Sequence, residues 1–129
     1  MTEQSNPAVD TQATAVKSFA YSFRDTCYYG ALASGTTPTS ANITALSKKY
    51  FLSASSSTSF TVNPGTGNHI VFATPSSFGT PVFKVGGFAG GFYKHSTISL
   101  TNGSGKTQNY DVYFSDQTGF SSTTVDVSL

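Results

Sequence analysis

The stretch TISLTNGSGKTQNYDVYF, residues 97–114, has the pattern of two strands joined by a turn. Ile98 and Leu100 alternate with hydroxyl side chains, which is the period of a strand with one apolar and one water-facing side. Asn102 and the glycines after it tolerate a positive φ, as a tight turn requires. Residues 109–114 are rich in aromatic and β-branched side chains, which favour strands. The stretch therefore predicts a β-hairpin.

The same alternation of strand and turn continues through most of the chain. Strands are predicted at residues 50–53, 59–62, 69–73, 81–85, 88–93, 97–101, 109–114 and 124–127. Short strands at such regular intervals are typical of a sandwich or a barrel. We expect an all-β fold, an antiparallel β-sandwich of jelly-roll-like form. The number of strands alone does not separate a jelly roll from other sandwich topologies.

The N-terminal part of the chain differs from the rest. Residues 1–16 are polar and show neither strand nor helix periodicity, so they predict an extended or disordered arm. Aromatic and small side chains alternate at residues 18–23, which predicts a strand. We therefore expect one folded β-sandwich domain over residues 17–129.

A loop and a helix are predicted before residue 50. Gly30 and Gly35 are expected to bracket the loop. Residues 39–46 follow a proline and offer Thr39 or Ser40 as a helix N-cap. We expect one short helix there and no other helix.

Composition excludes several classes of protein. Seven Lys and Arg nearly balance six Asp and Glu, for a net charge of +1, which argues against a nucleic-acid-binding surface. Eleven Phe and seven Tyr would lack a core in a largely disordered chain. Neither a long apolar run nor a signal peptide is recognisable, so we expect no membrane insertion and no export. The single Cys27 is expected to be a small buried side chain.

The sequence predicts no catalytic, cofactor-binding or metal-binding residue. Residues 103–107 end like a phosphate-binding loop, but the motif's first glycine is absent and a strand follows, which favours a hairpin turn. His69 and His95 have no third ligand at metal-binding spacing. No nucleophile elbow occurs, and Asp111 and Asp116 are expected to face solvent. We therefore expect that the protein is not an enzyme and needs no cofactor.

Two groups of residues are candidates for binding. Exposed tyrosines can stack on sugar rings or lie in a subunit interface, and the alternative is that they form the core. The four tyrosines considered for these roles are Tyr28, Tyr29, Tyr93 and Tyr110. The second group is a glycine-rich segment. Glycine loses much backbone entropy when it is ordered in the middle of a strand, so this segment predicts a bulge or close packing against another chain. Its candidate interchain contacts are Gly86, Gly87, Phe88, Gly90, Gly91 and Phe92.

Six short segments follow one another in a consistent order and spacing: Tyr28-Tyr29-Gly30, Ile43-x-x-Leu46, residues 70–79 (IVFATPSSFG), Val85-Gly86-Gly87-Phe88, Thr101-Asn102-Gly103 and Asn109-Tyr110-Asp111-Val112-Tyr113. Together they resemble a module found in bacteriophage virion proteins, often at their C-terminal end. The resemblance covers about residues 18–129.

The resemblance implies a structural role in a virion, as a tail-fibre, neck or baseplate component that is assembled in the bacterial cytoplasm. It implies other virion proteins as partners and a homo-oligomer, with a trimer favoured, and it carries no catalytic residue. A capsid decoration protein and a carbohydrate-binding module that recognises a host surface glycan remain alternatives.

Overall fold

The structure, a computed structural model, describes residues 25–51, 57–102 and 105–129. The predicted arm at residues 1–16 and the predicted strand at residues 18–23 lie outside these ranges. The described strands are β1 (Asp25–Ala33), β2 (Ser47–Phe51), β3 (Ser57–Val62), β4 (Asn68–Pro75), β5 (Val82–Val85), β6 (Phe88–Ala89), β7 (Phe92–Thr101), β8 (Thr107–Thr118) and β9 (Thr123–Ser128). A short helix, α1 (Ser40–Thr44), and a 3-10 turn (Ser76–Phe78) complete the described elements.

The strands form two antiparallel sheets, which confirms the predicted all-β sandwich. The five-stranded sheet has the order β2-β1-β4-β8-β7, and the four-stranded sheet has the order β3-β9-β5-β6. The hairpin predicted from residues 97–114 is the β7–β8 pair, whose register closes at Thr101 opposite Thr107. Leu100, Val125 and Val127 are buried while their neighbours are exposed, as the alternation predicted.

The core between the sheets is built mainly from phenylalanine rings. Phe72 of the five-stranded sheet lies 5.8 Å from Phe60 and 5.7 Å from Phe83 of the four-stranded sheet, measured between ring centroids. Valines of β9 complete this layer. Cys27 is also buried there, as predicted, and its thiol donates a hydrogen bond to Thr74 Oγ1 at 3.4 Å. Large rings in this layer bury much apolar surface in a chain that has few aliphatic side chains.

Part of the outer face of the five-stranded sheet, the face turned away from the four-stranded sheet, is also buried. A second apolar cluster lies there, formed by Tyr28, Ile43, Val71, Ala73, Leu100, Tyr110, Val112 and Phe114. Helix α1 contributes Ile43 to it. The helix begins at Thr39, whose hydroxyl accepts a hydrogen bond from the Asn42 amide at 3.2 Å while the Asn42 side chain accepts one from the Thr39 amide at 2.7 Å. This reciprocal capping selects Thr39 over Ser40 as the N-cap.

Three sequence predictions about local structure are wrong. Gly30 does not begin a loop but lies within β1, opposite Val71. A Cβ atom at Gly30 would come within 2.9 Å of Leu46 Cδ2, so close approach of another side chain, and not a turn, explains the glycine. The predicted strand at residues 88–93 is split into β6 and the start of β7. The 3-10 turn after Pro75 was not expected.

Candidate functional site

Burial removes two of the four candidate tyrosines from any surface role. Tyr28 and Tyr110 are fully buried, with their ring centroids 5.8 Å apart. The Tyr110 hydroxyl donates a hydrogen bond to the Thr26 carbonyl at 2.6 Å and accepts one from the Asn102 amide nitrogen at 3.2 Å. The prediction that these tyrosines could stack on a sugar or enter an interface is therefore wrong, because both rings belong to the core. The Tyr110 hydroxyl also ties β8 to β1 and to Asn102 at the end of β7.

The other two tyrosines lie in different environments. Tyr29 is half-buried and packs against Phe60 with ring centroids 4.5 Å apart, as part of the layer between the sheets. Tyr93 remains 43% exposed on β7. Tyr93 is therefore the candidate tyrosine whose ring is most available to a ligand.

The glycine-rich segment forms a corner that carries the chain from one sheet to the other. We call residues 86–92 the glycine corner. Gly86 and Gly87 turn the chain between β5 and β6, and Gly90 and Gly91 lead it from β6 into β7. All four have positive φ, between 57° and 89°, a conformation that side chains with a Cβ rarely adopt. The positive φ values of the two turns therefore account for the four glycines.

Backbone hydrogen bonds hold the glycine corner to both sheets. The Gly86 amide donates to the Thr124 carbonyl at 3.1 Å, and the Gly90 amide donates to the Phe83 carbonyl at 2.9 Å. The Asp116 amide donates to the Gly91 carbonyl at 2.8 Å. At the end of the corner, Phe92 stacks on Phe83 with ring centroids 4.2 Å apart and is half-buried against the core. The corner is thus fixed in position even though it lies at the surface.

Phe88 projects from the glycine corner into solvent. It is 81% exposed, more than any other large hydrophobic side chain in the described ranges, and it lies on β6, the two-residue edge strand of the four-stranded sheet. Beside it is a cleft of about 360 Å³, here called the corner cleft, lined by Val85, Phe88, Ala89, Gly90, Gly91, Asp116, Gln117 and Phe120. A fixed backbone thus presents an exposed ring next to a mainly apolar concavity.

The hydrogen-bonding network around Asp111 was missed by the sequence analysis. Asp111 was expected to face solvent, but it is only 7% exposed. Its Oδ1 atom accepts hydrogen bonds from the hydroxyls of Ser76 and Thr97, both at 2.8 Å, and lies 3.4 Å from Lys94 Nζ. The 3-10 turn that supplies Ser76 had no recognised pattern in the sequence, so this pairing could not be anticipated.

The Asp111 network shifts two pKa values in opposite directions. Burial alone would raise the pKa of Asp111, but the hydrogen bonds from Ser76 and Thr97 and the nearby Lys94 charge outweigh it and lower that pKa. Burial, with a contribution from the Asp111 carboxylate, raises the pKa of Tyr113. Asp111 is therefore a charged, hydrogen-bonded acceptor at neutral pH that joins the 3-10 turn to strands β7 and β8.

A second cleft, of about 420 Å³, lies on the four-stranded sheet and is lined by Ser57, Thr58, Ser59, Val82, Lys84, Asp126, Val127 and Ser128. In the described parts of the chain, His, Cys, Asp and Glu side chains do not gather in groups of three or more that could hold a metal ion. Within the same ranges, neither helical segment has the length and apolar character needed to cross a bilayer.

Comparison with known proteins yields no match to a family model, to a curated protein or to a solved structure.

Proposed function

We propose that this protein is a non-catalytic structural component of a bacteriophage virion, of the tail-fibre, neck or baseplate type, and that its β-sandwich assembles with further copies through the glycine corner. The observation that carries the assembly part of the proposal is the 81% exposure of Phe88 beside the corner cleft. The virion part rests on the resemblance of the six sequence segments.

Burial of Phe88 in a neighbouring subunit would stabilise an oligomer. Removing a phenylalanine side chain from water contributes about 1.5–3 kcal/mol. The corner cleft offers apolar walls from Val85 and Phe120, so the same surface carries both a projecting ring and a concavity. Each subunit of a closed ring can then insert Phe88 into the next. The resemblance to phage virion proteins favours a trimer as the closed form.

The edge strand β6 lies at the same surface as Phe88. It borders the four-stranded sheet, and it contains only two residues. Natural edge strands are often short because an exposed edge pairs readily with another chain. In this protein the adjacent turns fix the position of the edge, which favours a specific contact over indiscriminate pairing.

Measurement of oligomeric mass tests the assembly surface. Phe88→Ser is expected to shift the mass from oligomer to monomer in light scattering behind a sizing column, with unchanged circular dichroism. Val82→Ser is the matched control, because Val82 is also 60% exposed on the four-stranded sheet but lines the other cleft. An oligomer that survives Phe88→Ser, or that is lost equally in Val82→Ser, would contradict the proposal.

Incorporation into particles tests the virion role. Complementation of a phage that lacks this protein should place it in purified particles, and Phe88→Ser should reduce the incorporated amount while Val82→Ser does not. Deletion of residues 2–15 tests the predicted arm: we expect the β-sandwich to stay folded but its incorporation to be lost. Particles that form and infect normally without the protein would contradict the proposed role.

A further inference from the structure

Four aromatic rings cluster on three neighbouring strands of the five-stranded sheet. We call Tyr93, His95, Phe114 and His69 the ring strip. Phe114 of β8 is at its centre, and its ring centroid lies 4.5 Å from that of His95, 5.2 Å from that of His69 and 6.3 Å from that of Tyr93. Because Phe114 belongs to the apolar cluster on the outer face, the strip lies on the face turned away from the four-stranded sheet.

The rings of the strip are held in place by contacts on their sheet-facing side. Phe114 is only 2% exposed, and the His95 ring stacks on it at an interplanar angle of 26°. The register of β7 against β8 shifts between Lys94 and Ser96, which makes His95 the extra residue of a β-bulge. Bulges commonly redirect a side chain at a binding site. The His69 ring is held separately, by a 2.7 Å hydrogen bond between its Nδ1 and the Ser115 carbonyl.

The outer side of the strip is available to a ligand. Tyr93 is 43% exposed and His95 is exposed, while His69 is half-buried. Tyr93 and His95 lie 6.5 Å apart between ring centroids, so they present two neighbouring rings to solvent. Since the Nδ1 of His69 donates to a carbonyl, its Nε2 is an acceptor in the neutral ring. Aromatic faces are thus combined with polar ring edges.

Two lysines on neighbouring strands are directed away from the strip. Lys94, between Tyr93 and His95, faces the opposite side of the sheet, where its ammonium group lies 3.4 Å from Asp111. Lys48 lies on the outer face but over the Tyr28 ring, on strands β1 and β2. A single-stranded nucleic acid needs a positively charged groove beside its stacking rings. The strip is therefore better suited to an uncharged ligand.

We infer that the ring strip is a binding platform for a neutral saccharide. The CH faces of a sugar ring pack on the faces of Tyr93 and His95, since the electron-rich face of an aromatic ring attracts such groups. The sugar hydroxyls pair with the Tyr93 hydroxyl, which can donate and accept, and with the Nε2 atoms of His69 and His95, because the Nδ1 atom of each ring is hydrogen-bonded within the protein. The ring strip shares no residue with the glycine corner or with the lining of the corner cleft, so the inference does not rest on the proposed assembly.

Titration with three neutral hexasaccharides tests the inference: maltohexaose, cellohexaose and chitohexaose, followed by amide chemical shifts. We expect at least one of them to bind with a dissociation constant of about 1 mM or tighter and to shift the resonances of β7. Tyr93→Ala should weaken that binding about tenfold or more, and His95→Ala should weaken it as well. Both side chains are exposed, so the variants are expected to keep the wild-type spectrum elsewhere.

Phe88→Ser serves as the control that separates this site from the glycine corner. It should lose the oligomer and keep the saccharide affinity of each subunit, whereas Tyr93→Ala should keep the oligomer. Absence of binding to all three hexasaccharides would overturn the inference. Binding that both ring-strip variants leave unchanged would overturn it too, as would salt-sensitive binding of an oligothymidylate at the strip in place of a sugar.

Discussion

Replacement of Asp111 by asparagine tests whether a charged carboxylate holds the 3-10 turn to the sheet. In the wild type, Oδ1 accepts hydrogen bonds from Ser76 and Thr97 and lies close to the ammonium group of Lys94. Asn keeps the shape of the side chain and its acceptor oxygen but has no charge. The substitution therefore isolates the contribution of the charge from that of packing.

The expected loss of stability follows from the two short hydrogen bonds. Hydrogen bonds to charged groups contribute about 1.5–3 kcal/mol each, against about 0.5–1.5 kcal/mol for neutral pairs. Lys94 is half-exposed, so its ion pair adds at most about 1 kcal/mol. Burial of the charge opposes these gains. We expect Asp111→Asn to lower the free energy of unfolding by about 1–2 kcal/mol at pH 7.

The effect should also depend on pH in a defined direction. The folded-state pKa of Asp111 is lowered relative to the unfolded chain, so its contribution is present at neutral pH and is lost as the carboxylate becomes protonated. An unfolded aspartate titrates at about pH 3.9. The difference in stability between wild type and Asp111→Asn should therefore shrink as the pH falls from about 5 through the folded-state pKa.

Urea unfolding followed by circular dichroism, at pH 7 and at several values down to about pH 3, measures this difference. Asp116→Asn is the matched control, because Asp116 is an exposed carboxylate on the same strand, and we expect it to change stability by less than about 0.5 kcal/mol. A difference between wild type and Asp111→Asn that is the same at pH 7 and pH 3 would refute the assigned role of the charge.

Three further predictions concern the core. Tyr110→Phe should lower the free energy of unfolding by about 1–2 kcal/mol, because it removes a buried hydroxyl that makes two hydrogen bonds. Tyr93→Phe should change the free energy of unfolding little. Urea unfolding of the two variants measures the difference. Gly30→Ala should lower the free energy of unfolding by about 1 kcal/mol, because the added methyl group would press on Leu46. This loss should disappear when Leu46 is also replaced by alanine. An equal loss with Leu46 and with Ala at position 46 would exclude that contact as the cause. Cys27 should react with a thiol reagent only after unfolding, and rapid labelling of the native protein would contradict its burial.

The strand pattern could be predicted where one side of a strand faces water. Ile98 and Leu100 in β7, and Val125 and Val127 in β9, alternate with exposed hydroxyl or charged residues, and the structure has them as predicted. Strand β1 was largely missed because residues 26–28 are all buried, so its apolar and polar side chains do not alternate. A strand that is buried on both faces lacks the period on which such predictions depend.

The candidate sites were only partly predictable from the sequence, because strand pairing brings together residues that are far apart in the chain. The position of Phe88 next to unusual glycines is visible in the sequence, and the structure adds its exposure and the cleft beside it. The ring strip is not visible, because His69 lies 26 residues from His95 and only the pairing of β4, β8 and β7 brings them to Phe114. Tyr28 and Tyr110 were considered as surface residues, but both are buried in the apolar cluster on the outer face of the five-stranded sheet. Their neighbours in the sequence do not indicate this burial.

The mass of the wild-type protein in solution is the decisive test of assembly through the glycine corner. Light scattering behind a sizing column, over a range of protein concentrations, should give a mass of three times 13.5 kDa for the proposed trimer. Hydrogen exchange on the same sample should show the Phe88 and Ala89 amides protected in the oligomer and less protected in Phe88→Ser. A protein that stays at 13.5 kDa at every concentration, or an oligomer whose glycine corner exchanges as fast as that of the monomeric variant, would contradict the account.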